Sequence, residues 1–78
     1  MATVTIYSTP TCHYCGMAKD FFKQNNIAYT EYNVATDLAK RKEMVEKSGQ
    51  MGVPVIEIDG KLSVGFDEAE LKSVLGVN

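Results

Sequence analysis

The amino-acid sequence predicts an α/β fold in which four strands form one mixed sheet and three helices cover both of its faces. Short runs rich in β-branched residues alternate with stretches whose apolar residues recur at helical spacing, in the order βαβαββα. The first βαβ unit is expected to be parallel and right-handed. Asp59-Gly60 is a strong signal for a two-residue hairpin, and therefore for antiparallel strands on either side of it. A mixed sheet satisfies both requirements.

The first three elements form the βαβ unit. Residues 3–7 alternate and are rich in β-branched side chains, which favours a strand. A loop containing Pro10 follows, and residues 12–25 then show apolar positions at helical spacing. The side chains expected on the buried face of this helix are Met17, Ala18, Phe21 and Phe22. The second strand is predicted over residues 28–34.

The second helix is bounded by residues with recognisable end chemistry. Either Thr36 or Asp37 can cap its first turn, because both side chains can accept a backbone N–H. Ser48-Gly49 ends it, since glycine tolerates the left-handed conformation of a helix C-terminus. The side chains expected to face the core are Leu38, Met44 and Val45.

The chain is predicted to close with the hairpin and a third helix. Residues 53–58 and 61–65 are its third and fourth strands, on either side of the Asp-Gly turn. Asp67, followed by Glu70, fits a capping box at the start of the last helix. The apolar stripe of that helix consists of Leu71, Val74 and Leu75.

Length and charge restrict the class of protein. The chain has 78 residues, which predicts a single domain over residues 1–78. Its formal net charge is −2 and its basic residues alternate with acidic ones, which argues against a nucleic-acid partner. The first residues do not have the pattern of a secretory signal, and no apolar run approaches the roughly 20 residues that cross a bilayer. We therefore expect a soluble cytoplasmic protein without a membrane partner.

Cys12 and Cys15 are the only cysteines of the chain, and they lie at the start of the first predicted helix. At this spacing both thiols are on one face, so one can attack a foreign disulfide and the other can resolve the mixed disulfide. The helix N-terminus favours the thiolate form of Cys12, which is the nucleophile. Cys15, one turn further in, is expected to be more buried and less ionised. His13 adds positive charge near Cys12 when it is protonated.

Two structural alternatives apply to the same cysteines. A zinc site requires about four ligands, whereas the chain offers two Cys and one His, with the His between the cysteines. A purely structural disulfide across so short a loop would remove little chain entropy. Both alternatives are weaker than the redox interpretation of a C-x-x-C between a strand and a helix.

Two further segments have both a structural and a functional interpretation. Val53-Pro54 can be an ordinary proline at a strand entry, or a cis peptide bond, which occurs in about one in twenty X-Pro bonds. Gly65-Phe66-Asp67 can be a tight turn with a helix cap, or a helix N-terminus that accepts a carboxylate from an anionic peptide or small thiol.

Taken together and in this order, these segments resemble those of the glutaredoxins, which belong to the thioredoxin superfamily. The matching pieces are Ile6-Tyr7 leading into Thr11-Cys12-His13-Tyr14-Cys15, then Gly52-Val53-Pro54, then Gly65-Phe66-Asp67. The resemblance extends over essentially the whole chain. It implies a thioredoxin fold, with Cys12 as the nucleophile, Cys15 as the resolving thiol and Pro54 in the cis form.

The resemblance also implies a glutathione groove. Its expected residues are Tyr14, Val53, Pro54, Phe66 and Asp67. In the family, the backbone of the Val pairs with the thiol peptide, and the helix start at the Asp takes the γ-glutamyl end. Glutathione is then a reductant and co-substrate, and no metal is expected.

The chain departs from the family pattern at several positions. It has His13 where many members have Pro, Thr9 where they have a Lys, Gly52 where they often have Thr, and Val64-Gly65 where they have two glycines. The missing Lys removes a partner for the glycine carboxylate of glutathione, which Gln50 and Lys61 could partly replace. The changes lean toward small glutaredoxin-like redoxins. Some relatives have selenocysteine at the position of Cys12.

The predicted function is a monomeric dithiol glutaredoxin that reduces protein disulfides and glutathione mixed disulfides and contributes to cell redox homeostasis. One alternative is a redoxin that thioredoxin reductase reduces and that donates electrons to ribonucleotide reductase. Another is a dimer whose two Cys12 thiolates and external thiols hold an iron–sulfur cluster. The second cysteine favours the enzyme, because Cys15 is needed only for dithiol exchange.

Overall fold

The computed structural model describes residues 3–76, and the order of their helices and strands is the predicted βαβαββα. The elements are β1 (Val4–Ser8), α1 (His13–Gln24), β2 (Thr30–Asn33), α2 (Leu38–Ser48), β3 (Val55–Ile58), β4 (Lys61–Val64) and α3 (Glu68–Leu75). The strands β2 and β3 are shorter than predicted, because residues 28, 29 and 34 around β2 and residues 53 and 54 before β3 are not paired in the sheet.

The four strands form one mixed sheet in the order β2-β1-β3-β4. Strand β1 is parallel to β2 and antiparallel to β3, and the β3–β4 hairpin is antiparallel. The hairpin turns at Asp59 and Gly60, whose φ angles of 49° and 88° are both positive, as an Asp-Gly turn of this type requires. The predicted parallel and antiparallel pairings are both confirmed.

The helices cover both faces of the sheet, as predicted. Helices α1 and α3 share one cluster of buried side chains with alternate residues of the central strands, while α2 packs on the other face. Neighbouring residues of β1 show the alternation: Ile6 belongs to the first cluster and Tyr7 to the second. The first cluster consists of Val4, Ile6, Ala18, Phe21, Phe22, Ile56, Ile58 and Leu71. The second consists of Tyr7, Val34, Met44 and Val55.

Three side chains that the sequence assigned to the core are exposed. Leu38 is 69% exposed because it is the first residue of α2, two turns before Val45, the residue on its side of the helix that packs against the core. Met17 is 40% exposed because it lies at the edge of the α1 face, where it lines a groove open to solvent. Val74 lies beside the stripe through which α3 packs, which consists of Leu71 and Leu75.

The helix ends agree with the expected cap chemistry. Asp37, rather than Thr36, caps α2 and accepts the N–H of Lys40 at 3.0 Å. Asp67 caps α3 by accepting the N–H of Glu70 at 3.2 Å. The capping box is only half formed, since the Glu70 carboxylate accepts the Ser63 hydroxyl at 2.8 Å. Within residues 3–76, no helix is long and apolar enough to cross a membrane.

Candidate active site

Cys12 is the N-cap residue of α1, at the point where the loop after β1 enters the helix. Its backbone is extended, and its N–H donates to the carbonyl of Thr9 at 3.3 Å. Its Sγ accepts the backbone N–H of Cys15 at 3.1 Å. The side chain is partly exposed. An accessible sulfur therefore faces the positive end of a helix, which stabilises negative charge on it.

Cys15 lies one turn into the helix and is completely buried, with a free thiol. Burial raises the pKa of this thiol from 9.0 to about 12, and a side-chain hydrogen bond with Cys12 acts in the same direction. A backbone hydrogen bond with Thr9 and the charge of Lys19 act in the opposite sense. At neutral pH Cys15 is consequently a protonated thiol, held against the accessible Cys12.

The segment before β3 contains the expected cis peptide bond, between Val53 and Pro54. Pro54 is buried, and Val53 is partly buried against the cluster under α2. The carbonyl of Pro54 accepts the N–H of Gly65 at 2.8 Å, which ties this segment to the one that precedes α3.

The register of the strands brings these segments to one end of the sheet. Tyr7, near the end of β1, lies opposite Val55 at the start of β3, and Val55 lies opposite Val64 at the end of β4. The loop that contains Cys12, the Val53–Pro54 segment and the segment that starts at Gly65 all adjoin these positions. Three segments far apart in the sequence therefore lie at the same end of the sheet.

The remaining residues of the expected groove differ in exposure. Tyr14 is 58% exposed and lies edge-on against the ring of His13, with 5.6 Å between the ring centroids. Phe66 is partly buried and contacts Phe21 of α1, at a centroid distance of 6.2 Å. Asp67 is exposed at the start of α3. The residues expected to form the groove thus include two aromatic side chains and a helix N-terminus.

The two residues expected to replace the missing Lys are placed differently. Lys61 opens β4 opposite Ile58, which itself lies opposite Val4. It is therefore at the end of the sheet away from the cysteines, and the expectation that it substitutes for the Lys is wrong. Gln50 folds back on the chain, since its side chain accepts the N–H of Gly52 at 2.8 Å and donates to the carbonyl of Gly52 at 3.0 Å.

One polar cluster between α1 and β2 was not predicted from the sequence. Glu31 of β2 accepts from the hydroxyl of Ser8 and from the ammonium of Lys19, each at 2.9 Å. The sequence shows that Lys19 follows Cys15 by four residues and so lies on the same face of α1. The pairing of Lys19 with β2 depends on the tertiary fold and cannot be predicted from this spacing. Within residues 3–76, no three His, Cys, Asp or Glu side chains cluster as metal ligands would.

Comparison with known proteins agrees with this geometry. The protein-family model described as Glutaredoxin matches residues 4–63. The crystal structure of a mutant of the thioredoxin-like protein BC3987 superposes on this chain with a TM-score of 0.92. The two are 32% identical and the superposition covers 100% of each chain. The fold is a thioredoxin fold.

Curated relatives place the chain in the same family. A glutaredoxin-like 8.6 kDa protein in the rubredoxin operon of Clostridium pasteurianum is 47% identical over 72 residues, covering 92% of this chain and 96% of the relative. Glutaredoxin 3 of Escherichia coli (strain K12) is 38% identical, covering 87% and 82%. The glutaredoxin-like protein NrdH of Lactococcus lactis is 37% identical, covering 87% and 93%. The chain belongs to the glutaredoxin family, which indicates a thiol–disulfide oxidoreductase.

Proposed function

We propose that this protein reduces protein disulfides and glutathione mixed disulfides by dithiol exchange, with Cys12 as the nucleophile and Cys15 as the resolving thiol. The observation that supports this assignment is the contrast between the two sulfurs. Cys12 is accessible and accepts a helix N–H, whereas Cys15 is buried and protonated. A foreign disulfide can therefore reach only Cys12.

The reaction divides into two exchanges. In the first, the Cys12 thiolate attacks one sulfur of the substrate disulfide, a Cys12–substrate bond forms, and the other substrate sulfur leaves as a thiolate that takes up a proton. In the second, Cys15 loses its proton and attacks Cys12 Sγ. The Cys12–substrate bond breaks, the second substrate sulfur leaves and is protonated, and a Cys12–Cys15 disulfide remains. Two external thiols then reduce that disulfide.

The N-cap geometry assists the first exchange. The N–H of Cys15 already points at Cys12 Sγ at 3.1 Å, and a hydrogen bond of this kind strengthens when the sulfur carries a negative charge. The first external thiol attacks Cys12 and releases Cys15, and the same N–H then stabilises Cys12 as the leaving thiolate when the second external thiol attacks the outer sulfur of that mixed disulfide.

We propose glutathione as the external thiol, bound in a groove formed by Tyr14, Val53, Pro54, Phe66 and Asp67. The common position of the three segments at one end of the sheet supports this groove. The protein would act as a monomer in the reducing cytoplasm and maintain cellular thiols. Neither a nucleic acid nor a resident metal takes part in this scheme.

A second reductant is supported by a specific observation. The family position that supplies a Lys for the glycine carboxylate of glutathione is Thr9 here, Lys61 is at the far end of the sheet, and Gln50 is bonded to Gly52. Weak glutathione binding would suit a redoxin reduced by thioredoxin reductase that passes electrons to ribonucleotide reductase. The similarity to NrdH of L. lactis agrees with this alternative.

An electron-donor assay separates the two reductants. The oxidised protein would be supplied either with glutathione and its reductase or with thioredoxin reductase alone, and NADPH consumption would be followed with a protein disulfide as the final acceptor. The Cys12→Ser variant is the control for donor activity that bypasses the site. Turnover with glutathione supports the main proposal, and turnover with thioredoxin reductase alone supports the alternative. No turnover with either donor would contradict the proposed function.

A further inference from the structure

The exchange steps proposed above leave one polar cluster without a role. Ser8 is completely buried at the end of β1, and its hydroxyl donates to Glu31 Oε2 at 2.9 Å. The same oxygen accepts from Lys19 Nζ, also at 2.9 Å. The side chains of Lys19 and Glu31 are 25% and 39% exposed, so the pair is only partly shielded from solvent.

The cluster lies on the side of the sheet that α1 covers. Glu31 is opposite Ile6 in the parallel register, and Ile6 belongs to the cluster under α1. Directly opposed residues point to the same face of a sheet. Lys19 follows Cys15 by one helical turn, so the two side chains are neighbours on one face of α1. The ion pair with Glu31 therefore holds the Lys19 side chain on the face of α1 that carries the buried thiol.

We propose that Lys19 is a positioning residue for the resolving exchange, in which its ammonium, held by Glu31 and Ser8, favours the thiolate of Cys15 at the moment that Cys15 attacks Cys12. The inference rests on the proposed function, because it concerns the second exchange of that reaction. The proton that leaves Cys15 is balanced by the proton that the departing substrate thiolate takes up. Lys19 itself neither gains nor loses a proton.

The charges around Cys15 agree in sign with this role. Burial is the largest influence on the pKa of Cys15 and raises it, while the charge of Lys19 acts more weakly in the opposite direction; Cys15 in turn raises the pKa of Lys19. The hydrogen bond with Glu31 is the largest cause of the raised pKa of Lys19, with Tyr29 acting in the same direction, so the ammonium stays charged. Lys23, further along α1, acts on Glu31 by lowering its pKa.

The size of the effect follows from two opposing factors. Loss of one partly screened ammonium should reduce the thiolate fraction of Cys15 roughly fivefold. A thiolate of higher pKa is intrinsically more nucleophilic, with a Brønsted coefficient of about 0.4–0.5, which restores about twofold. The resolving exchange should therefore slow about two- to threefold without Lys19.

A single-turnover experiment measures this exchange separately from the first. The reduced protein would be mixed with a glutathionylated peptide, quenched with acid at successive times and analysed by mass spectrometry. The reduced, Cys12-glutathionylated and internally disulfide-bonded forms differ in mass. The variants are Lys19→Met, Lys19→Arg and, as a control one turn further along the same helix, Lys23→Met.

We expect Lys19→Met to leave formation of the mixed disulfide unchanged and to slow its resolution two- to threefold. Lys19→Arg should restore the rate, and Lys23→Met should match the wild type. High salt should slow resolution in the wild type and have less effect in Lys19→Met, because it screens the ammonium. An unchanged resolving rate in Lys19→Met, an equal loss in Lys23→Met or failure of Lys19→Arg to restore the rate would overturn the inference. If the wild type forms no mixed disulfide at Cys12, the proposed function itself fails.

Discussion

In the reduced protein, the two cysteines should differ by a large factor in their rates of alkylation. The pKa of Cys15 is raised from 9.0 to about 12, mainly by burial, which reduces its thiolate fraction at neutral pH about a thousandfold. The stronger nucleophilicity of a high-pKa thiolate recovers roughly 20-fold of this loss. Ionisation alone should therefore make Cys15 about 50-fold slower than an ordinary thiol, and its lack of exposure should slow it further.

The assay is brief labelling with iodoacetamide, followed by peptide mapping that reports each cysteine separately. Cys12 should react first, and the rate at Cys15 should continue to rise tenfold per pH unit through the mildly alkaline range. The same protein in denaturant is the control, since both thiols should then react alike. Faster labelling of Cys15 than of Cys12 in the folded protein would refute the assignment of nucleophile and resolving thiol.

Three other predictions follow from individual contacts. Asp37→Ala should reduce the free energy of unfolding by about 1 kcal/mol in urea titrations, because Lys40 N–H loses its cap; an unchanged midpoint would contradict it. Thr9→Lys should strengthen glutathione binding by no more than about 1 kcal/mol and so raise kcat/KM with glutathione several-fold at most. The gain should be smaller at high salt, and no gain at low salt would count against glutathione as the reductant. Hydrogen bonds from Lys19 and Ser8 lower the pKa of Glu31 in the folded protein. The contribution of Glu31 to the free energy of unfolding is therefore complete above the carboxyl pKa of the unfolded chain, and it is lost as pH falls through the folded pKa. The stability difference between wild type and Glu31→Gln should accordingly shrink on acidification, and a constant difference would be inconsistent with the ion pair.

Local chemistry allowed much of the site to be predicted from the sequence. Cys12 and Cys15 are close in the chain, so their positions at the start of α1 follow from helix geometry alone. The Asp59-Gly60 turn and the cap at Asp67 are equally local. The cis bond at Pro54 is not: it was expected from family resemblance, because the base rate for X-Pro bonds favours the trans form.

The incorrect predictions and the contacts that were not predicted concern tertiary placement. Lys61 is near the Asp-Gly turn in sequence, and only the antiparallel register shows that this turn is at the end of the sheet away from Cys12. The contact of Lys19 with Glu31 joins a helix to the edge strand β2, and sequence spacing does not reveal that pairing. Leu38 illustrates a different limit, because its helical spacing from Val45 did not indicate that the first turn of α2 lies outside the core.

The most direct test of the two-thiol account is a trapping experiment with the Cys15→Ser variant and a protein disulfide. Removal of the resolving thiol should stop the reaction after the first exchange, so the mass spectrum should show one covalent adduct of substrate and protein, attached at Cys12. The Cys12→Ser variant, treated in the same way, should give no adduct. An adduct on Cys15 in the Cys12→Ser variant, or no adduct in Cys15→Ser, would contradict the account.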